Sequence, residues 1–356
     1  MLNKTYILIS RAQPWHNGHQ EISKYALSKA DTLLILVGSI NKARDVKNPF
    51  TFDERKSMIE KSVQPILDEY LSKGIEKKLI ILGVEDNLYN NNKWLFQVQQ
   101  LIEKNINPNH SVYLTGYEKD SSSSYLKYFP QWKKDFYYKH FNLVNATDIR
   151  ADFFDCDYQL FDKTKFEFSI PEPCIEFLFK FTRVNKGKEY LNLKEEYKFI
   201  LKYRKQFENL KYNVPFLTGD AITVCCGHVL LVQRRSYPGK GLLAIPGGFV
   251  DSDKDLDQVS TAIRELKEET KIKVPEGLIK GSIKKISDFS DPSRSLRWRI
   301  FTKAILIQLP DQDELPKVKG ADDAQKAFWM PINEIVKHQN QFFEDHYNII
   351  TTMLSI

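Results

Sequence analysis

The chain has 356 residues, 42% hydrophobic and 28% charged, with a formal net charge of +6. That length exceeds one ordinary domain and suits two of about 150 to 200 residues, and the composition is that of a soluble globular protein. No apolar run approaches the roughly 20 residues of a membrane helix, and the modest, dispersed charge suits anionic small molecules as well as nucleic acid.

The first element is an apolar run at residues 5–9, too short for a signal peptide and read as a buried strand. A polar loop and a helical pattern from about Gly18 to Ala30 follow, then a second apolar run at 32–38. Strand, helix, strand predicts a parallel sheet. Runs at 78–83 and 111–116 add two strands, each followed by a polar loop and a helical stretch. The N-terminal half is therefore expected to be a doubly wound, Rossmann-like α/β domain that binds ligands at the carboxyl ends of its strands. Ser121 to Ser124 form the single low-complexity tract. Residues 171–180 read as a closing helix, and a charged helical stretch leads on to about Asn213. The boundaries expected are an N-terminal domain at 1–185, a helical linker at 186–212 and a C-terminal domain at 213–356. The C-terminal part turns β-rich, with runs at 221–226 and 229–235, a Gly-rich turn, one strong helix and further strands. Cys156, Cys174, Cys225 and Cys226 lack CxxC spacing, which predicts reduced core thiols, and the want of a membrane run or signal peptide predicts a cytoplasmic compartment.

The loop after the first strand reads from Ser10 to His19. His16 and His19 stand three apart where a helix begins, so both can face the free backbone N–H groups and the positive dipole end that attract phosphate. Gly18 lets the backbone come close. Thr51 and Glu54 make a capping box for the next helix, and Arg44 and Lys47 are cations in a second loop at the same sheet edge. Thr147 reads as an N-cap, with Arg150 one turn on, where its guanidinium can fork onto a triphosphate.

With Pro14, His16, Gly18 and His19 in place, the loop resembles the nucleotidyltransferase signature GxFxPxHxGH; Ser10 and Ala12 depart from it, in backbone fit and packing. Residues 38–55, Thr115–Asp120 and Asn145–Arg150 resemble segments of nicotinamide-mononucleotide adenylyltransferases of the archaeal and bifunctional bacterial type. This resemblance implies contacts to ATP and the mononucleotide from Arg11, Ser39, Arg44, Lys47, Asn48, Gly116, Lys119, Asp120 and Thr147. It implies that Trp94 stacks on the nicotinamide ring. The reaction implied needs no enzyme nucleophile: His16, His19 and Arg150 align two anions and stabilise charge on the leaving pyrophosphate, with magnesium.

In the C-terminal half, Glu265, Glu268 and Glu269 fall at i, i+3 and i+4, so one helix face carries three carboxylates. Clustered oxygen donors of this kind suit magnesium or manganese. With Gly247 and Gly248 upstream and Arg264 before Glu265, the stretch resembles the Nudix box. It departs in two ways. Two residues are inserted between Gly248 and Arg264 with no glutamate at the usual place, where Asp253 or Asp255 stands in; and Lys271 replaces the terminal glycine. Residues 289–294, ending in Arg294, and the acidic loop 320–323 resemble ADP-ribose-type Nudix domains of α/β/α sandwich fold. The resemblance implies binding of ADP-ribose by Gly247, Gly248, Arg264 and Arg294, metal held by Glu265, Glu268 and Glu269, and catalysis by Glu265 and Glu269. Asp322 or Asp323 is a further candidate for activating water.

The two motifs in this order resemble bifunctional enzymes of NAD metabolism, with ATP, nicotinamide mononucleotide, NAD+ and ADP-ribose as partners and neither nucleic acid nor membrane. A homo-oligomer stays open. One rival is adenylyl transfer to nicotinate mononucleotide or phosphopantetheine. Another is a Nudix ligand sensor in a DNA-binding regulator, which needs an appended helix-turn-helix and eroded glutamates; all three glutamates are present.

Overall fold

The computed structural model describes residues 3–116, 126–137, 144–156 and 160–356. The chain divides into two compact units, Met1–Glu195 and Glu196–Ile356.

In the first unit, strands β1 (Lys4–Ser10), β2 (Thr32–Val37), β3 (Lys78–Gly83), β4 (Ser111–Thr115) and β5 (Lys133–Lys134) form a sheet in the order β3-β2-β1-β4-β5. Every pairing is parallel. β2 is buried along its whole length, as a central strand covered on both faces must be, and this is why its sequence is a continuous apolar run. The helices are α1 (Asn17–Lys29), α2 (Phe52–Ser72), α3 (Asn91–Asn105), α4 (Ala146–Asp155) and α5 (Glu172–Phe181). Ile7, Ile9, Leu34, Leu36 and Leu114 of the sheet pack with Val98 and Ile102 of α3. The strand order reverses at β1, whose neighbours are β2 and β4. The loop leaving β1 therefore opens at the switch point, where the separating connections leave a crevice. Helix α6 (Lys188–Lys205) runs through the point of division between the units.

The second unit is a mixed sheet. Strands β6 (Phe216–Cys225), β7 (His228–Arg234), β10 (Ile283–Phe289), β11 (Ile300–Gln308) and β12 (Ala324–Pro331) run in the order β10-β11-β6-β7-β12. The short β8 (Leu243–Ala244) pairs with β7, and β9 (Gly247–Phe249) pairs with β6. β6 and β11 are parallel and the other pairs antiparallel. Helix α7 (Gln258–Thr270) buries Ala262, Ile263 and Leu266 against Ala221, Leu230 and Ile305. Fully burying an Ile or Leu is worth roughly 1.5–3 kcal/mol, so these contacts fix which way the helix's polar face looks. The packing is close because Gly219 has no side chain: a Cβ there would lie 2.1 Å from the Gln258 carbonyl oxygen. Helices α8 (Glu276–Gly281), α9 (Ile332–Lys337) and α10 (His346–Leu354) complete the unit. All four cysteines are free, and no described helix is long and apolar enough to cross a membrane.

Two candidate active sites

The first site is built on the β1–α1 loop. His16 caps α1, and its backbone N–H donates to Nδ1 of His19 at 3.3 Å. That leaves the ring proton on Nε2, which donates to Ser10 Oγ at 2.7 Å. The His19 ring lies between those of His16 (centroids 3.7 Å apart) and Trp15 (4.8 Å). Loss of hydration, followed by the neighbouring His16, holds its proton affinity well below the ordinary histidine range, so His19 is neutral at pH 7. Ser10 therefore does more than fit the backbone, as the sequence suggested: it orients the second histidine.

Cations converge on this loop. Arg150 reaches from α4 to donate to the Gln13 carbonyl (2.7 Å) and to Thr147 Oγ1 (3.2 Å). Burial, then the field of Arg11, lowers its proton affinity to about 10. Lys47 is pushed down as well, by burial and then by Arg11, with Lys42 adding to the effect. Arg11 thus repels both Lys47 and Arg150 at one edge of the sheet, with Asp45 offsetting part of that field. An anion bound there relieves that repulsion, which is what a phosphate site requires.

Arg55 braces the site and was not singled out from the sequence. It is 1% exposed and donates to the carbonyls of Arg11 and Gly38 (both 2.7 Å), tying the loops after β1 and β2 together. Ser39, with φ +58°, donates to Asp86 Oδ1 at 3.0 Å. Asn48 is buried, and its backbone N–H donates to Asp45 Oδ1 at 2.6 Å.

Both arms of the Arg44 fork grip Glu54, at 2.7 and 2.8 Å. One expectation changes in this unit. Thr147 is not the cap of α4. Asn145 is, accepting from the Thr147 backbone N–H at 3.0 Å, and Thr147 lies inside the first turn. Trp94 leans on Phe129, with ring centroids 5.9 Å apart, and packs against the sheet core. Gly116 follows β4 directly, whereas Lys119 and Asp120, like Ser121 to Ser124, lie outside the described residues.

The second site is the polar face of α7. Arg264 is its hub. Nε and Nη2 grip both oxygens of Asp255 (2.9 and 2.8 Å), while Nη1 donates to Glu265 and Glu268, both at 2.8 Å. Asp255, not Asp253, therefore occupies the place the sequence left open. Glu269 accepts from the Gly247 backbone N–H at 3.1 Å. Burial raises its carboxyl to about 8, with the nearby negative charges of Glu265 and Asp323 adding to the effect. Burial likewise raises Glu265. Gly248 faces Glu265 so closely that a Cβ would lie 2.3 Å from its Oε1. The acidic loop is tied to the end of the same helix: Lys319 N–H donates to the Thr270 carbonyl (2.8 Å) and Ala321 N–H to that of Glu269 (3.0 Å).

Arg264 is thus engaged by carboxylates on every side. Arg294 is 5% exposed and paired with buried Asp345 through Nε (2.9 Å) and Nη2 (3.1 Å), so it belongs to the core. Among the described residues no three acidic, imidazole or thiol side chains are already gathered as a cation site, because Arg264 draws Glu265 and Glu268 to itself. The donor set still fits a hard divalent cation. It is all oxygen, and burial raises the proton affinities of Glu265 and Glu269, as it does for carboxylates short of hydration.

Residues 7–78 match the Cytidylyltransferase-like family and residues 218–353 the NUDIX domain family. The nicotinamide/nicotinic acid mononucleotide adenylyltransferase of Acinetobacter baylyi is 30% identical over 192 residues, covering 54% of this chain and 92% of its own length. The ADP-ribose pyrophosphatase of Methanocaldococcus jannaschii is 30% identical over 140 residues, 39% of this chain and 76% of its own. A bifunctional NMN adenylyltransferase/ADP ribose pyrophosphatase from Francisella tularensis matches over 99% of both chains, at 30% identity and a TM-score of 0.89. A second crystal structure of that protein, complexed with AMP and a manganese ion, matches at 29% and 0.88.

Proposed function

This chain belongs to the family of bifunctional NMN adenylyltransferases/ADP-ribose pyrophosphatases, and we propose that its two reactions are carried by the two sites described above. The first unit transfers the adenylyl group of ATP to nicotinamide mononucleotide, giving NAD+ and pyrophosphate. The second hydrolyses ADP-ribose to AMP and ribose 5-phosphate.

In the first reaction the phosphate of the mononucleotide attacks the α-phosphorus of ATP. The observation that carries this reading is the convergence of Arg11, Lys47 and Arg150 on the loop that holds His16 and His19. These cations draw two anionic substrates together and hold the charge that develops on pyrophosphate. His16 and His19 line the phosphate end of α1, with Ser10 fixing the second ring. Ser39, Asn48, Gly116, Thr147 and Trp94 complete the proposed nucleotide contacts.

In the second reaction water attacks a phosphorus of the diphosphate. Glu265, Glu268 and Glu269 would hold magnesium or manganese, which when bound neutralises phosphate charge and activates water. Asp255 sets Arg264, and Arg264 sets two of these carboxylates. Gly247 and Gly248 let the backbone approach them, and a carboxylate of this face receives the water's proton. The cytoplasm suits both the four free thiols and the nucleotide substrates.

The test is to incubate the protein with ATP, magnesium and, separately, nicotinamide mononucleotide, nicotinate mononucleotide and phosphopantetheine, and to identify products by mass. NAD+ formation supports the reading; adenylylation of phosphopantetheine alone contradicts it.

A further inference from the structure

We propose that Arg297, with Arg234 beside it, binds an anionic phosphate oxygen of the diphosphate substrate in the second unit, an inference that rests on the assignment of that unit to ADP-ribose hydrolysis. Arg297 lies three residues before β11. Its guanidinium carbon is 5.4 Å from the ring centroid of Phe249 and 5.7 Å from that of Phe343. Phe249 ends β9, directly after Gly248, the residue that faces Glu265. Arg234 ends β7, and its guanidinium lies 4.1 Å from the same Phe343 ring. Its field also reaches Glu269, Asp323 and Glu344. The two arginines thus share one aromatic support beside the carboxylate helix.

Their hydrogen bonding differs from that of their neighbours. Arg294, in the same segment, is saturated by buried Asp345. Arg297 brings five donors, yet its Nε is buried without an acceptor. It forms an ion pair with Glu344 at 3.7 Å through Nη2, a distance too long for a hydrogen bond. Glu344 also accepts from Ser295 Oγ at 2.6 Å, and burial pushes its carboxyl up while the field of Arg297 holds it down. The Arg297 side chain keeps 15% of its surface exposed.

Leaving such donors unpaired costs stability, and a second cation at Arg234 increases the cost. A phosphate oxygen satisfies both. A guanidinium presents parallel N–H bonds to a phosphate, and the aromatic rings hold it without using those N–H groups. The carboxylates of α7 repel a diphosphate, whereas this arginine pair attracts it. The two together define where the substrate's phosphates sit.

The experiment is calorimetric titration of ADP-ribose into the full chain in the presence of a metal chelator, with the melting temperature recorded for each variant. Arg297→Met should weaken binding about tenfold or more, the effect of losing one charge-assisted contact. Its melting temperature should stay level, because the Arg297 guanidinium makes no hydrogen bond among the described residues and its ion pair with Glu344 is long. Arg297→Lys, which keeps the charge without the fork, should bind with intermediate affinity. NAD+ formation should remain within about twofold for both. Unchanged affinity in Arg297→Met overturns the proposal. So does a fall in melting temperature that accompanies the loss of affinity and is reversed by lysine, which would make Arg297 a structural residue. Absence of ADP-ribose binding by the unsubstituted protein would instead overturn the assignment of the second unit, and this inference with it.

Discussion

Arg264 holds both carboxylate oxygens of Asp255, at 2.9 and 2.8 Å, and this pair fixes the start of the carboxylate helix. Asp255 also accepts from the Asp251 backbone N–H (2.9 Å) and from Thr261 Oγ1 (2.9 Å), and its side chain is 2% exposed. Arg264, first among these partners, keeps its carboxyl far below the usual carboxylate range. Asp253 lies outside this network and donates its backbone N–H to Asp251 Oδ1. Asp255→Ala should therefore destabilise the second unit by on the order of 2 kcal/mol, the scale of a buried charge losing its partner. It should also slow hydrolysis by releasing Arg264, whereas Asp253→Ala should be close to neutral. Thermal melts and ADP-ribose turnover of the two variants check this, and equal effects would contradict it.

Reading the sequence alone could find the helix but not choose between these aspartates. The i, i+3, i+4 spacing of Glu265, Glu268 and Glu269 follows from helix geometry, and the apolar run of β2 follows from burial on both faces. Both are local, so both were legible. Which aspartate meets Arg264 depends on how a longer loop folds back, and no short-range rule encodes that. Arg55 illustrates the same limit. Its partners are carbonyls of Arg11 and Gly38, 44 and 17 residues away in sequence, and a lone arginine on a helix looks solvent-facing until those loops arrive. Arg44 and Arg294 show the limit from the other side: each stands in a motif suggesting ligand contact, and no short-range pattern reveals its pairing with Glu54 or Asp345.

Lys271 closes α7 in a left-handed conformation, φ +48°. A side chain is strained there, and glycine is not. Lys271→Gly should stabilise the second unit by about 0.5–1 kcal/mol and raise its melting temperature by about 2–4 °C, with hydrolysis unchanged. A lower melting temperature would show that the lysine contributes something the backbone does not.

His346 begins α10, is 7% exposed and accepts from the Ile245 backbone N–H through Nδ1 at 3.0 Å. Burial lowers its pKa to about 3. The unfolded chain binds the proton near pH 6.5, so the stability His346 contributes is complete above that pH and is lost as pH falls toward about 3. At pH 5 the loss should be roughly 2 kcal/mol. Asn at this position keeps an acceptor and does not titrate. The melting temperature of the unsubstituted protein should therefore fall, relative to His346→Asn, between pH 7 and pH 5. Parallel curves would contradict a buried neutral histidine.

The central claim is that one chain carries two chemically independent sites, and NAD+ formation measured beside ADP-ribose hydrolysis in His19→Ala and Glu269→Gln tests it most directly. His19→Ala should nearly abolish NAD+ formation and leave hydrolysis within about twofold, because the phosphate site at the start of α1 belongs to the first unit. Glu269→Gln should slow hydrolysis by at least ~100-fold, the scale of losing a group that acts on the attacking water, and leave NAD+ formation within about twofold. Comparable loss of both activities in either variant would contradict the account.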